Sequence, residues 1–99
     1  MPSSSYPYFT VLKLSHDQNL LALGDSSGNI HLFNAEDHKP LLSIPAHDEA
    51  VTCLDFSPEN SKDNKKYLLA SGSRDCLAHM YYLKGDSRGG ISYENMGVF

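Results

Sequence analysis

An internal repeat constrains the fold of this chain more than any other feature of its sequence. Residues 20–34 (LLALGDSSGNIHLFN) align with residues 68–82 (LLASGSRDCLAHMYY) at an offset of 48 positions. Two leucines, an alanine, a glycine and a histidine are identical in the two copies, and Phe33 stands opposite Tyr81. Self-similarity over such a period is the signature of an architecture built from repeated structural units.

The repeat extends upstream, where residues 12–15 align with residues 54–57 at an offset of 42 positions. The difference between the two offsets falls in the polar stretch 59–66 (ENSKDNKK), which we expect to be a surface loop because added loop length costs little closure entropy. Short apolar runs separated by turn-forming residues predict strands, and no helical stripe interrupts them. Each unit then holds four strands, which fits the roughly 40–45 residues of one propeller blade.

These units predict an all-β chain of about two four-stranded antiparallel blades, which form an incomplete, unclosed propeller. We expect a flexible tail at residues 1–9, a first blade at 10–46 and a second at 47–99 with a divergent C-terminal tail. Residues 84–99 do not match the first unit, so an outer strand at 91–93 and an end without regular structure both stay open. Because two blades do not close a propeller, the chain is expected to associate with itself or to lack its remaining blades.

The charge and composition of the chain exclude several classes of partner. The formal net charge is -4, which disfavours binding to nucleic acid or to anionic lipid. No stretch approaches the run of about 20 apolar residues that a membrane helix needs. Cys53 and Cys76 are expected to be free thiols in a reducing compartment, with Cys53 buried in a strand at residues 51–56.

In this arrangement of residues the chain resembles the WD-repeat family. In that family a His near the start of the repeat, a Ser or Thr on the second strand, an Asp in the following tight turn and a Trp on the third strand form a hydrogen-bonded network. The resemblance assigns these roles in the second unit to His47, Ser73 and Asp75, with Tyr81 in the place of the Trp. In the first unit the corresponding places hold Asp25, Ser27 and Phe33. The chain contains no Trp, so the name-giving dipeptide of the family is absent.

The stretch from Gly24 to Asp75 (GDSSGNIHLF, PAHDEAVTCLDFS, LLASGSRD) resembles the scaffold family of mitogen-activated protein kinase-binding protein 1 and its spindle-pole relatives. The resemblance implies a non-catalytic protein-interaction module that binds kinase-cascade or cytoskeletal components in the cytoplasm, at the spindle or in the nucleus. Recognition residues concentrate on loops that rest on a rigid sheet. The candidates for partner binding on these loops are Ser26, Asp48, Glu49 and Arg74.

The sequence gives little support for a metal site or for catalysis. The five histidines and two cysteines lack the local spacings of a zinc site, so no metal and no cofactor is predicted. No catalytic residue can be assigned. Ser57-Pro58 fits either a proline-directed phosphorylation site or the end of a strand, because Pro cannot donate to the ladder. The alternative function is a small β protein outside the propeller class, with a ligand-binding or hydrolytic role.

Overall fold

The computed structural model describes residues 6–57, 66–85 and 90–99, and within these residues all regular structure is β. Eight strands follow one another along the chain. They are β1 (Phe9–Leu14), β2 (Leu20–Asp25), β3 (Asn29–Asn34), β4 (Pro40–Pro45), β5 (Val51–Phe56), β6 (Lys66–Ser73), β7 (Ala78–Gly85) and β8 (Ile91–Val98). The described residues include no helix long and apolar enough to cross a membrane.

The strands form two antiparallel meanders, with order β1-β2-β3-β4 in the first sheet and β5-β6-β7-β8 in the second. Sequential neighbours pair throughout, as short connections favour. Because consecutive hairpins turn at alternate ends of a meander, the β2–β3 turn, the β4–β5 linker and the β6–β7 turn share one end. The predicted fold class is confirmed: the chain is all-β and consists of two four-stranded blades.

Residues that are equivalent in the two sequence repeats pair in the same way in the two sheets. Leu21 pairs with Phe33 in the first sheet, and Leu69 pairs with Tyr81 at the equivalent place in the second. Each sheet also has a register shift near the start of its first strand, between Phe9 and Val11 and between Val51 and Cys53. The two units are therefore structural copies of one another.

The two sheets pack face to face, and the core lies between them. Contacts join β1 and β2 to β5, and β4 to β8. Burial alternates along the central strands, which follows from the two-residue period of a strand. The core consists of Leu20, Ala22, Ile30, Leu32, Ile44, Ala46, Val51, Leu54, Phe56, Tyr67, Leu69, Tyr81 and Leu83. We call the packed side of each sheet its inner face and the opposite side its outer face.

Polar contacts also join the sheets, at the end away from the β2–β3 turn. The hydroxyl of Tyr67 donates to Asp17 Oδ2 at 2.6 Å, and His16 Nε2 donates to the Phe56 carbonyl at 3.1 Å. Burial and the bond to Asp17 together raise the pKa of Tyr67. Burial also raises the pKa of Asp17, but hydrogen bonds from Ser15, Tyr67 and Asn19 outweigh it and leave that pKa below its usual value.

The structure corrects two of the sequence expectations and decides between the alternatives at a third place. Strand β1 begins at Phe9. The Tyr8 carbonyl accepts the Ser26 N–H at 2.8 Å and the Tyr8 N–H donates to the Ser26 hydroxyl at 3.0 Å, so ordered contacts start before residue 10. The C-terminal segment forms the full outer strand β8, which settles the alternative left open there. Cys53 and Cys76 are free thiols as expected, but Cys53 is exposed rather than buried, because its strand turns it toward the uncovered outer face.

Candidate functional site

Three segments meet at one end of the two sheets and form a surface that we call the rim. It consists of the β2–β3 turn (residues 25–28), the β4–β5 linker (46–50) and the β6–β7 turn (73–77). Backbone hydrogen bonds connect the segments: the N–H of His47 donates to the Gly28 carbonyl at 2.9 Å, and that of Arg74 donates to Ala50 at 3.2 Å. The rim is therefore one connected surface contributed by both blades.

His47 anchors the rim from below. Its side chain is fully buried, with Nδ1 3.1 Å from Asp75 Oδ2 and Nε2 2.9 Å from the Ser71 hydroxyl oxygen. An ionised carboxylate can only accept hydrogen bonds, so Nδ1 carries the proton that is donated to Asp75. In the neutral ring, Nε2 then accepts the hydrogen bond of the Ser71 hydroxyl. Both ring nitrogens are thus satisfied, and the linker is tied to the second strand and the turn of its blade.

Two residues predicted for this network, Ser73 and Tyr81, make other contacts than those expected. The serine that contacts His47 is Ser71, not Ser73, whose hydroxyl donates to the Glu49 carbonyl at 3.0 Å. Ser73 instead joins linker and turn, since it also accepts the Asp75 N–H at 3.1 Å. Tyr81 is buried, as a residue in the place of the Trp should be, but its hydroxyl bonds to His79 Nδ1 at 3.0 Å.

His79 is the network residue that sequence reasoning missed. Its ring packs edge-on against the His47 ring at a centroid distance of 4.5 Å and stacks on Tyr81 at 5.7 Å. The Asn95 amide from β8 lies 3.2 Å from Nδ1. The identical His31 in the first unit was the available signal, because a residue kept at the same place in two repeats points to a packing role.

Asp75 collects donors from the linker and from its own turn. The backbone N–H groups of Leu77 and Asp48 bond to its carboxylate at 2.9 and 3.2 Å, in addition to His47. Partial burial raises the pKa of Asp75, but the bonds from Leu77, Asp48 and His47 outweigh this effect and hold the pKa below its usual value. The carboxylate is therefore ionised at neutral pH and fixes the turn.

The pKa of His79 predicts a pH dependence of stability. Burial disfavours its charged ring and the neighbouring His47 does the same, while Asp75 acts in the opposite direction, and the net pKa lies below the usual 6.5. As the pH falls below about 6.5, the unfolded chain binds a proton at this position before the folded chain does. We therefore expect the free energy of unfolding to decrease from pH 7.5 to pH 5.5.

Urea denaturation at the two pH values measures this effect. The variant His79→Gln keeps a polar side chain and removes the titrating group, so its unfolding midpoint should change less between the two pH values than that of the natural chain. Equal pH dependence of the two proteins would contradict the assignment to His79.

The first unit fixes its turn with a different set of side chains. The Asp25 carboxylate accepts the backbone N–H groups of Ser27 and Asn29, both at 2.9 Å. Its other oxygen accepts His31 Nε2–H at 2.8 Å, and His31 Nδ1 lies 2.8 Å from the Ser43 hydroxyl. Burial raises the pKa of Asp25, but the bonds from His31, Asn29 and Ser27 lower it further than burial raises it. The two rim turns are thus each held by an aspartate and a histidine, but these residues occupy different positions in the two units.

The predicted binding residues differ in how accessible they are. Asp48, Glu49 and Arg74 are exposed on the rim. Ser26 is half-buried, and its hydroxyl accepts the N–H of Tyr8 at 3.0 Å, so the segment before β1 occupies it. The exposed part of the rim therefore presents two carboxylates and one guanidinium, on a backbone that is hydrogen-bonded to the neighbouring turns.

No group of three or more His, Cys, Asp or Glu side chains suited to a metal ion occurs in the described ranges. Within the same ranges, each buried side-chain nitrogen or oxygen has a hydrogen-bond partner. The buried polar groups of the rim thus satisfy one another, which is the property of a structural network rather than of a site that awaits a ligand.

Comparisons with known proteins agree with this structure. Residues 38–81 match the family "WD domain, G-beta repeat", and residues 7–59 match the WD40 domain of anaphase-promoting complex subunit 4. Mouse WD repeat-containing protein 62 is 41% identical over 71 residues, which are 71% of this chain and 4% of that protein. WD repeat and SOCS box-containing protein 1 of Xenopus tropicalis is 38% identical over 74 residues, or 75% of this chain and 16% of that protein.

Human mitogen-activated protein kinase-binding protein 1 is 37% identical over 60 residues, which are 61% of this chain and 4% of that protein. The chain therefore spans only a small part of the length of each of these relatives. The match of residues 7–59 covers more than half of the chain, and it agrees with the two four-stranded blades and with the similarity to WD-repeat proteins. The chain belongs to the WD-repeat family, whose members are in general protein-interaction scaffolds.

Proposed function

We propose that this chain is a non-catalytic protein-interaction module and that it binds its partner through the rim. The observation that carries the proposal is the fixed backbone under Asp48, Glu49 and Arg74, which rests on the buried His47 and on Asp75. Side chains on such a base lose little additional freedom on binding, and this lowers the cost of association. Two carboxylates beside a guanidinium suit a partner segment that offers both a basic group and a hydrogen-bond acceptor.

The finer proposal is that the partner belongs to kinase signalling or to the cytoskeleton, and that the module acts in the cytoplasm, at the spindle or in the nucleus. It is supported by the similarity to mitogen-activated protein kinase-binding protein 1, whose name states that it binds such a kinase. Affinity capture of the tagged chain from cells, quantified by mass spectrometry for mitogen-activated protein kinase complexes, tests this step, and imaging of the same chain tests its location.

The role of the rim is tested by Arg74→Ala. This variant should bind the captured partner at least ten-fold more weakly, which corresponds to about 1.4 kcal/mol, a plausible value for truncation of an interface arginine. Its melting temperature should stay unchanged because the side chain is exposed. The matched control is Lys39→Ala, an exposed basic residue at the opposite end of the sheets. A lowered melting temperature with unchanged binding would show that Arg74 stabilises the fold and does not contact the partner.

One contact favours the alternative hydrolytic role. Ser43, His31 and Asp25 form a hydrogen-bonded series of the residue types that serine hydrolases use, but with the ring nitrogens exchanged: His31 Nδ1 faces Ser43 and Nε2 faces Asp25, whereas in those enzymes Nε2 faces the serine. However, Asp25 is also committed to its turn by two backbone N–H groups, which explains the series without catalysis. We expect hydrolysis of p-nitrophenyl acetate by the chain to equal that by His31→Gln. Activity that both His31→Gln and Ser43→Ala abolish would establish the alternative instead.

A further inference from the structure

A cavity of about 290 Å³ lies beside the β2–β3 turn of the first unit. The described residues that line it are Pro7, Tyr8, Phe9, Asp25, Asn29 and His31. Pockets for drug-sized ligands begin at about 300 Å³, so a cavity of this size suits a single side chain of a partner protein. It borders the rim, because Asp25 belongs to both.

Aromatic rings form part of the cavity wall. The ring of Phe9 stands edge-on to the ring of His31, with a centroid distance of 5.9 Å and an angle of 76° between the ring planes. Phe9 and Tyr8 are 59% and 66% exposed, although large aromatic side chains usually lie inside a fold or at an interface. The two nearly perpendicular rings form a corner in which a flat group can stack on one ring and stay in contact with the other.

The Asp25 carboxylate gives the cavity a negative charge. Its Oδ1 accepts two backbone N–H groups, and its Oδ2 accepts only His31 Nε2–H. A carboxylate offers about four acceptor positions, so Oδ2 can take one further donor. None of the described residues that line the cavity is a lysine or an arginine. The linker over the same turn adds two exposed carboxylates, Asp48 and Glu49, so the charges favour a cationic occupant.

The second unit places a ring from its own linker beside the corresponding histidine. There the His47 ring packs on His79 at a centroid distance of 4.5 Å and donates an N–H to a carboxylate. His79 is the counterpart of His31, and at the offset of the first strands the counterpart of His47 is residue 5, a serine. A serine has neither a ring nor a positive charge. A planar N–H donor beside His31 therefore has to come from another molecule.

Two further lining residues differ between the units in a way that favours a cation. Phe9 pairs with Asp25 as Val51 pairs with Ser73, so the register gives their counterparts. Val51 is aliphatic and fully buried, whereas Phe9 is aromatic and exposed, and the neutral Ser73 stands where the first unit has a carboxylate. An aromatic face and a carboxylate are the two groups that bind cationic side chains in proteins. The first unit has both at this place and the second has neither.

From these observations we propose that the cavity binds the guanidinium group of an arginine side chain of the partner. One N–H of the guanidinium donates to Asp25 Oδ2 while its face stacks on the Phe9 ring. Arginine fits better than lysine, because its planar group stacks on aromatic rings, whereas an ammonium group is compact and strongly hydrated. The inference rests on the proposed function in one respect, which is that the arginine belongs to the partner that the rim binds.

NMR titration of the isotope-labelled chain at pH 7.5 tests the cavity without the partner. Acetylarginine amide should shift the amide signals of Phe9, Asn29 and His31 with a dissociation constant of roughly 1–10 mM, the weak affinity expected of one side chain. Acetylcitrulline amide keeps the shape without the charge and should bind at least ten-fold more weakly. Phe9→Ala should weaken arginine binding to a similar extent. The matched control is Phe99→Ala, since Phe99 is exposed and lies outside the cavity.

Partner binding separates this inference from the proposal for the rim. Phe9→Ala should weaken binding of the captured partner at least five-fold, whereas Phe99→Ala should leave it unchanged. The inference is overturned if acetylarginine amide shifts none of the cavity signals, if the citrulline compound binds the natural chain equally well, or if the two phenylalanine variants bind the partner equally. Arginine binding in the cavity, together with unchanged partner binding by Arg74→Ala, would contradict the role of the rim alone.

Discussion

Replacement of Gly28 by alanine is expected to cost the chain about 3 kcal/mol or more of its free energy of unfolding. Gly28 has φ +95°, a conformation that costs an L-residue about 1–2 kcal/mol. In addition, a Cβ atom at this position would lie 2.0 Å from the His47 carbonyl oxygen and 2.8 Å from that of Glu49. Both contacts are to backbone, so the linker itself would have to move, and overpacking of this kind adds about 1–3 kcal/mol.

Gly97→Ala is the control for this substitution. The new Cβ atom would meet only the ring of Phe99, at 3.2 and 3.4 Å, and Phe99 is 75% exposed and free to give way. We expect its unfolding free energy to stay within about 0.5 kcal/mol of the natural value. Chemical denaturation of the three proteins measures both effects. Equal stability of Gly28→Ala and Gly97→Ala would mean that the linker does not pass over the β2–β3 turn as described.

The second unit shows that a side chain at the position of Gly28 is excluded mainly by the backbone packed against it, and less by the positive φ angle. Cys76 occupies the equivalent position with φ 71°, and it is exposed. A side chain is therefore tolerated at this angle when no backbone lies over the turn. The first unit needs a glycine here because the β4–β5 linker crosses the turn. The sequences of the two repeats show that glycine in one is cysteine in the other, but they do not show the linker that explains the difference.

The fold could be predicted from the sequence because its determinants are local. Alternation and turn-forming residues predicted the strand at residues 51–56 with the bounds that the structure has. The sequence left strand β8 open as an outer strand at residues 91–93, because the alternation of residues 91–94 does not continue to residue 98 and the segment does not match β4 of the first unit in sequence. This strand forms because it pairs along the whole of β7, which is a tertiary effect.

The error at Ser73 has a geometric cause. Ser71 and Ser73 are two residues apart on one strand, so both point to the same face, and alternation cannot separate them. Which of the two serines reaches His47 depends on their positions along the strand relative to the His47 ring, and the linker sets the position of that ring. That position is fixed by the bond from the His47 N–H to Gly28, which joins the two units and is invisible within either repeat.

The alanine substitution of His47 is the second change for which we expect a large effect, a loss of about 3 kcal/mol in the free energy of unfolding. The variant removes a bond to an ionised carboxylate, which contributes about 1.5–3 kcal/mol, and a bond to the Ser71 hydroxyl, which contributes about 1 kcal/mol. It also leaves a space beside the His79 ring, because the lost side chain was fully buried. Urea denaturation measures the loss.

Substitutions of Ser71 and Ser73 distinguish the observed network, in which Ser71 contacts His47, from the network predicted by sequence, in which Ser73 does. Ser71→Ala leaves His47 Nε2 buried without a partner, whereas Ser73→Ala loses bonds only at the accessible edge of the rim. We therefore expect Ser71→Ala to be the more destabilising variant. The reverse order would return the network role to Ser73. Since the linker is anchored by His47, His47→Ala should weaken partner binding and stability together, whereas Arg74→Ala should affect binding alone.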